Sequence, residues 1–245
     1  VTGPDLAGRT ALVTGGSRGL GLAIARKLCA SGVDVLINYA GSDEDAEKAV
    51  ASLTGLRGTA RAVKADVTDS AALDSMLAQI HSLDIFVHNC SRLTPMFALA
   101  TDPGVVDESL AIALRPLLAG AARLAELMAD RPGRIIAVSS SGAHKAVPGY
   151  VAAGVAKAAM ESAVRYLAAE LAGRGIAVNA VSTSKIDKGD RTVRPEQIKA
   201  LAARTPAGRL TTPDDVAGVV ALLCADEAAW IHGQVITADG GLGIV

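Results

Sequence analysis

Aromatic side chains are scarce in this sequence: one Trp, three Tyr and two Phe among 245 residues. With half of the chain hydrophobic, the core has to be assembled from Ala, Val, Leu and Ile. Cysteine is scarce too. Cys29, Cys90 and Cys224 are odd in number and far apart, which argues against a disulfide framework and fits a reducing compartment. Neither charge is in excess: 24 Lys and Arg stand against 25 Asp and Glu, for a net charge of −1. That balance gives no basic patch for nucleic acid or an anionic membrane. No apolar run reaches membrane-spanning length, and the opening VTGPDLAGRT lacks a charged-then-apolar signal pattern. The expectation is a soluble cytoplasmic protein with neither nucleic acid nor membrane as a partner.

What is present is a regular alternation of strand-like and helix-like segments. Strands are expected at Thr10–Thr14, Val33–Asn38, Thr59–Ala65, Leu83–His88, Gly133–Ser139, Ile176–Val181 and Gln234–Thr237. Helices are expected after Gly21, over Ser42–Leu53, from Asp69 to about Ile80, over Val105–Ala129 and Gly149–Ala172, around Glu196–Ala203, and at Asp214–Cys224. No repeat, low-complexity tract or linker interrupts the series, so residues 1–245 read as one domain. Such alternation predicts an α/β fold, doubly wound in the Rossmann manner, with a mostly parallel seven-stranded sheet and helices on both faces. Ligands of such sheets bind beyond the carboxyl ends of the strands.

Between the first strand and first helix lies Thr14-Gly15-Gly16-Ser17-Arg18-Gly19-Leu20-Gly21. Glycines let the backbone turn tightly and approach a pyrophosphate, and the helix N-terminus offers unpaired N–H groups to its charge. Strand before and helix after supply the context that a dinucleotide-binding loop requires. The end of the second strand, Asn38-Tyr39-Ala40-Gly41-Ser42, carries no acid for the two ribose hydroxyls of NAD, and Arg18 can reach an extra phosphate. NADPH is therefore expected ahead of NADH. Asp66 is placed to meet the adenine amino group, or else to cap the next helix.

The stretch Ile135–Met160 combines an apolar run, the serines Ser139, Ser140 and Ser141, a loop with His144 and Lys145, and a helical segment carrying Tyr150 and Lys157. Seven residues is about two helical turns, which puts Tyr150 and Lys157 on one face about 10 Å apart. A serine, a tyrosine and a lysine at one sheet edge can polarise an oxygen while a hydride is delivered nearby.

The combination of TGGSRGLG, ADVTD after the third strand, HN after the fourth, the serine-ended fifth strand, a helix with lysine and the closing GQVITADGG resembles the short-chain dehydrogenase/reductase family along essentially the whole chain. The resemblance implies catalytic roles for Tyr150, Lys157 and Ser140, with Ser139 and Ser141 as alternatives to the last. It implies a cofactor contact set of Gly15, Ser17, Arg18, Gly19, Leu20, Gly21, Asn38, Tyr39, Asp66, Val67, Asn89, Lys157 and Ile186, and no metal. It further implies a homotetramer or homodimer through the two long helices, and a substrate lid over about residues 184–206. That lid is rich in charge, with Lys185, Asp187, Lys188, Asp190, Arg191 and Arg194. Arg92–Ala98 is expected as another wall of the site.

Carbonyl reductases of the family place Tyr four residues before Lys; that position here is Ala153, and the asparagine of the long fourth crossover helix falls at Ala113. Tyr150-x6-Lys157 resembles the enoyl-acyl-carrier-protein reductase branch instead. In carbonyl reduction the acid stands beside the carbon that takes the hydride. In conjugate reduction the charge collects on an oxygen two carbons further along, so the donor must be displaced. Three helical residues displace it by about 4.5 Å. The expected activity is NADPH-dependent reduction of an α,β-unsaturated carbonyl, on a small molecule or an acyl chain borne by a carrier protein or coenzyme A. Ketone reduction by a rearranged site, and a non-redox role as isomerase, cyclase or assembly partner, stay open. His144 and Lys145 read as exposed loop residues, and Cys90 as a small packing residue.

Overall fold

Four strands rich in Ala, Val and Ile make the centre of the sheet: β1 (Thr10–Thr14), β4 (Ile85–His88), β5 (Gly133–Val138) and β6 (Ile176–Ser182). Every residue of β4, β5 and β6 is buried, as expected of parallel strands covered on both faces. The computed structural model describes residues 3–187 and 195–245. Around the centre lie β2 (Asp34–Tyr39), β3 (Ala60–Lys64) and the short edge strand β7 (Val235–Thr237). The order is β3-β2-β1-β4-β5-β6-β7, and all pairings are parallel. β1 and β4 are therefore the point at which the winding reverses, and their carboxyl ends carry Thr14 and His88 side by side.

Successive strand residues face opposite sides of the sheet, and the core divides accordingly. Leu12, Phe86, Ile135 and Val178 meet α3 (Ser70–Ala78), α4 (Pro103–Leu118), α5 (Ala121–Leu127) and α6 (Val151–Leu171). Ala11, Val13, Val87 and Ile136 meet α1 (Gly19–Ala30), α2 (Asp43–Ser52) and α8 (Pro213–Leu223). α7 (Pro195–Arg204) lies in the expected lid region. Burial of each Val, Leu or Ile contributes about 1.5–3 kcal/mol, which suffices for a core almost without aromatics. Among the described residues no helix is long and apolar enough to cross a membrane.

Three expectations change. The single helix expected over Val105–Ala129 is two, α4 and α5. Pro116 has no N–H to give, and a Cβ on Gly120 would lie 2.5 Å from the Pro116 carbonyl oxygen, so the chain bends where only glycine fits. Tyr150 is not inside α6 but is its N-cap residue, with φ −119° and ψ 13°. Of the expected lid, residues 188–194, with Lys188, Asp190, Arg191 and Arg194, lie outside the described residues.

Candidate active site

α2, α3, α4 and α8 are N-capped by the side chains of Ser42, Asp69, Asp102 and Thr212. α1 has no such cap: its N-cap residue, Arg18, sends no side chain back to it. The first N–H groups of α1 are thus available to an anion. Gly15 and Gly19 have φ of +61° and +54°, and a Cβ on Gly21 would lie 2.1 Å from the Gly15 carbonyl oxygen. The loop can exist only with glycine at these points, and its shape fits a dinucleotide pyrophosphate.

Thr14 Oγ1 holds this loop to the end of β4. It accepts the backbone N–H groups of Asn89 (3.0 Å) and Cys90 (3.2 Å) and lies 3.0 Å from His88 Nδ1. Asn89 Nδ2 donates to the carbonyls of Thr14 and Gly15, both at 3.2 Å. With two N–H groups arriving, the hydroxyl proton of Thr14 goes to His88 Nδ1, leaving Nε2 protonated. Nε2 faces the Ile112 and Ala113 carbonyls without closing a well-aligned bond. Because Pro116 lacks an N–H, the Ile112 carbonyl has no helical partner four residues on. Burial, reinforced by the nearby Lys157 charge, pushes the His88 imidazole down to about 3, so it stays neutral.

The other residues expected to hold the cofactor are placed unequally. Asn38 is buried with its side chain turned into the sheet, donating to Ala65 O at 2.9 Å; only its backbone reaches the loop, where Gly16 N–H meets Asn38 O at 2.9 Å. Val67 is likewise buried. Asp66 accepts from Thr68 N–H (2.9 Å) and Oγ1 (2.7 Å), bonds that hold its carboxyl below the usual range; the cap of α3 is Asp69 instead. Ser17 and Leu20 are half-buried in the loop. Tyr39 Oη donates to Asp43 Oδ1 at 2.8 Å, and Lys64 Nζ lies 2.9 Å from both Asp43 oxygens. Ile186 pairs in a single bridge with Thr211.

At the carboxyl end of β5, Lys157 is buried on α6 and donates from Nζ to the Val138 carbonyl at 2.6 Å. Burial lowers its ammonium to about 8, against the pull of Cys90 and Glu161. Burial also pushes the Cys90 thiol up, which keeps it neutral. Ser140 Oγ accepts the Gly142 N–H at 3.2 Å and keeps its own proton for another acceptor. Ser139 is committed elsewhere: its hydroxyl meets the buried Glu161 Oε1 at 2.5 Å. Tyr150 rests on two glycines. A Cβ on Gly142 would sit 2.5 Å from its Cδ1 and Cε1, and one on Gly154 would sit 3.5 Å from Cδ1. The expected wall Arg92–Ala98 reaches the same place, since Met96 N–H donates to Gly149 O at 3.0 Å. Gly142→Ala is therefore expected to push the tyrosine ring aside. Steady-state kinetics should give a kcat lower by about tenfold or more, with KM for the nucleotide unchanged.

A cavity of about 10 Å³, room for one water, lies beside Lys157. Its walls include Cys90, Ser91, Ser109, Ala113 and Ala153. The two positions that carbonyl reductases of the resembled family fill with Asn and Tyr thus face one void. Sequence reasoning did not pick out Gly142, Gly154 or Glu161, and gave Thr14 no role beyond its place in the loop. The pattern of glycines around Tyr150 was the one available hint. No group of three His, Cys, Asp or Glu among the described residues is arranged to hold a metal.

Residues 15–243 match a family profile described as enoyl-(acyl carrier protein) reductase. The chain is 37% identical to 1-cyclohexenylcarbonyl-CoA reductase of Streptomyces collinus, over 97% of this chain and 88% of that one. It is 33% identical to a 3-oxoacyl-[acyl-carrier-protein] reductase of Rickettsia bellii, over 98% and 99% of the two chains. The solved short-chain dehydrogenase/reductase from Serratia marcescens superposes with a TM-score of 0.90 at 31% identity, covering 98% of this chain and 99% of that one.

Proposed function

This chain belongs to the short-chain dehydrogenase/reductase family and is an oxidoreductase; from that premise we propose that it reduces the carbon–carbon double bond of an enoyl thioester with NADPH. One observation carries the reading. Ala113 and Ala153 line a void beside Lys157, while the tyrosine stands at the cap of α6, three residues earlier, over Gly142 and next to Ser140. On this reading, Ala153 leaves no acid where a ketone would need it, and Tyr150 would stand where an enolate oxygen forms. Similarity to a reductase of 1-cyclohexenylcarbonyl-CoA supports the same reading.

The uncapped start of α1 and the loop Gly15–Gly21 would hold the pyrophosphate, and Lys157 the nicotinamide ribose. The bound cofactor supplies a hydride. Tyr150 Oη would donate a hydrogen bond to the thioester oxygen as charge moves onto it, a role worth a few kcal/mol per donor. Ser140, with its hydroxyl proton uncommitted to the loop, would supply a second. The ammonium of Lys157 would favour negative charge at that oxygen, and the α-carbon would then take a proton from water. Preference for NADPH rests on Arg18, exposed and no closer than 3.9 Å to Asp45, and on Asp43, whose carboxylate is engaged by Lys64 and Tyr39 and therefore repels a phosphate less. Self-association through the outer faces of α4 and α6 would cover the exposed Leu118, Val155 and Tyr166.

The competing reading, ketone reduction, is favoured by similarity to the 3-oxoacyl reductase. Matched enoyl and 3-oxoacyl thioesters of coenzyme A, assayed by NADPH oxidation, separate the two. We expect kcat/KM to favour the enoyl substrate by about a hundredfold, the usual effect of one well-placed donor. A preference for the ketone would reverse the assignment.

A further inference from the structure

We propose that His144 is a positioning residue for Tyr150: its ring, paired with the buried Glu161, locks the loop from Ser140 to Gly149 into the seat from which the tyrosine works. The inference rests on the reading of Tyr150 as the hydrogen-bond donor to substrate.

Glu161 is 1% exposed, and a carboxylate so placed is costly unless charge and hydrogen bonds reach it. Ser139 supplies one neutral donor to Oε1 at 2.5 Å. His144 Nε2 lies 2.7 Å from Oε2, which no hydrogen bond satisfies among the described residues, and the histidine side chain is 59% exposed. The other charged groups around the pair are engaged or turned away. Lys157, one turn earlier on α6, donates to Val138 O; Arg165, one turn later, is exposed. Lys145, on the same loop, donates to Gly243 O at 2.8 Å, and Asp239 beneath that segment accepts from Ser184 at 3.2 Å. His144 is thus the basic side chain within reach of Glu161 from the loop side.

What this pair holds is the support of the tyrosine. Gly142, against which the Tyr150 ring lies, is two residues before His144 and is joined to it through the turn Ser141–Ala143, closed by His144 N–H to Ser141 O at 3.1 Å. A shift of His144 therefore moves Gly142 and unseats the ring.

Amide hydrogen exchange of the full-length protein tests this without any substrate. At one fixed pH, and after correction for intrinsic rates, protection of residues 142–150 should be about tenfold lower in His144→Gln than in the unmodified protein, the scale of one lost charged contact. His144→Lys, which keeps a cation at this position, should restore most of that protection. His144→Gln protected like the unmodified protein, or His144→Lys protected no better than His144→Gln, would overturn the proposal. If the enoyl-reductase reading alone is wrong, the exchange pattern stays as described and only the matching fall in kcat is missing.

Discussion

Tyr150→Phe should lower kcat on an enoyl thioester by about a hundred- to a thousandfold and leave KM for NADPH unchanged. The ring seat over Gly142 and Gly154 is indifferent to the hydroxyl, so packing and stability should stay within about 0.5 kcal/mol. In the proposed role that hydroxyl acts only on the substrate. A loss confined to kcat is the signature of an interaction made in the transition state and not in the ground state. Single-turnover NADPH oxidation, which isolates the chemical step, is the decisive measurement. Activity within a few-fold of the unmodified enzyme would remove the tyrosine from the mechanism.

Lys157→Met should abolish reduction to a similar or greater degree and, unlike the tyrosine variant, weaken NADPH binding. Its effect on stability carries independent information. Burial lowers the folded-state value of Lys157 to about 8 from an ordinary 10.5, so the charged form opposes folding by about 3 kcal/mol at neutral pH. Removing the side chain relieves that cost but strips the Val138 carbonyl of its 2.6 Å donor, a loss of about 1–3 kcal/mol. At pH 7 the two nearly offset. Their pH dependence does not. Between pH 8 and 10.5 the unfolded chain binds the proton that the folded one has released, so the unmodified protein gains stability as pH rises through this window. Denaturant titrations at pH 7 and pH 10 should therefore show the unmodified protein improving relative to Lys157→Met. A difference that is the same at both would place the lysine in contact with water. In activity, the same titration predicts a fall of kcat/KM above about pH 8, as the cation beside the enolate is lost.

The strands and the glycine turn after β1 were legible because they depend on local pattern. Apolar runs such as IIAV and IAVNAV have no polar face to show to water, and TGGSRGLG sits between a strand and a helix. The spacing of Tyr150, Ala153 and Lys157 is equally local. That the Asn38 side chain turns into the sheet was not legible, because its partner, the Ala65 carbonyl, follows the neighbouring strand β3. The break between α4 and α5 could have been read from Pro116 with Gly120, but the apolar periodicity runs through both and masks it. His144 looked like a solvated loop residue, and is largely exposed; only the fold brings it to Glu161, seventeen positions away. Ser140 and Ser139 were indistinguishable as neighbours, and become distinct once Glu161 is seen to take the hydroxyl of Ser139.

The packing of α1 against α8 has a consequence for synthesis. Ile24 and Leu28, on the helix that opens at the cofactor loop, share a core with Val216 and Val220, nearly two hundred residues downstream. Arg9 adds a tether to the same end of the chain, with the Cys224 carbonyl 2.6 Å from its guanidinium. A ribosome-bound chain that has already emerged through β6 has the sheet side of α1 packed, but the side that meets α8 still lacks its cover. Completion of this core thus waits on α8, an interval in which exposed apolar surface favours association.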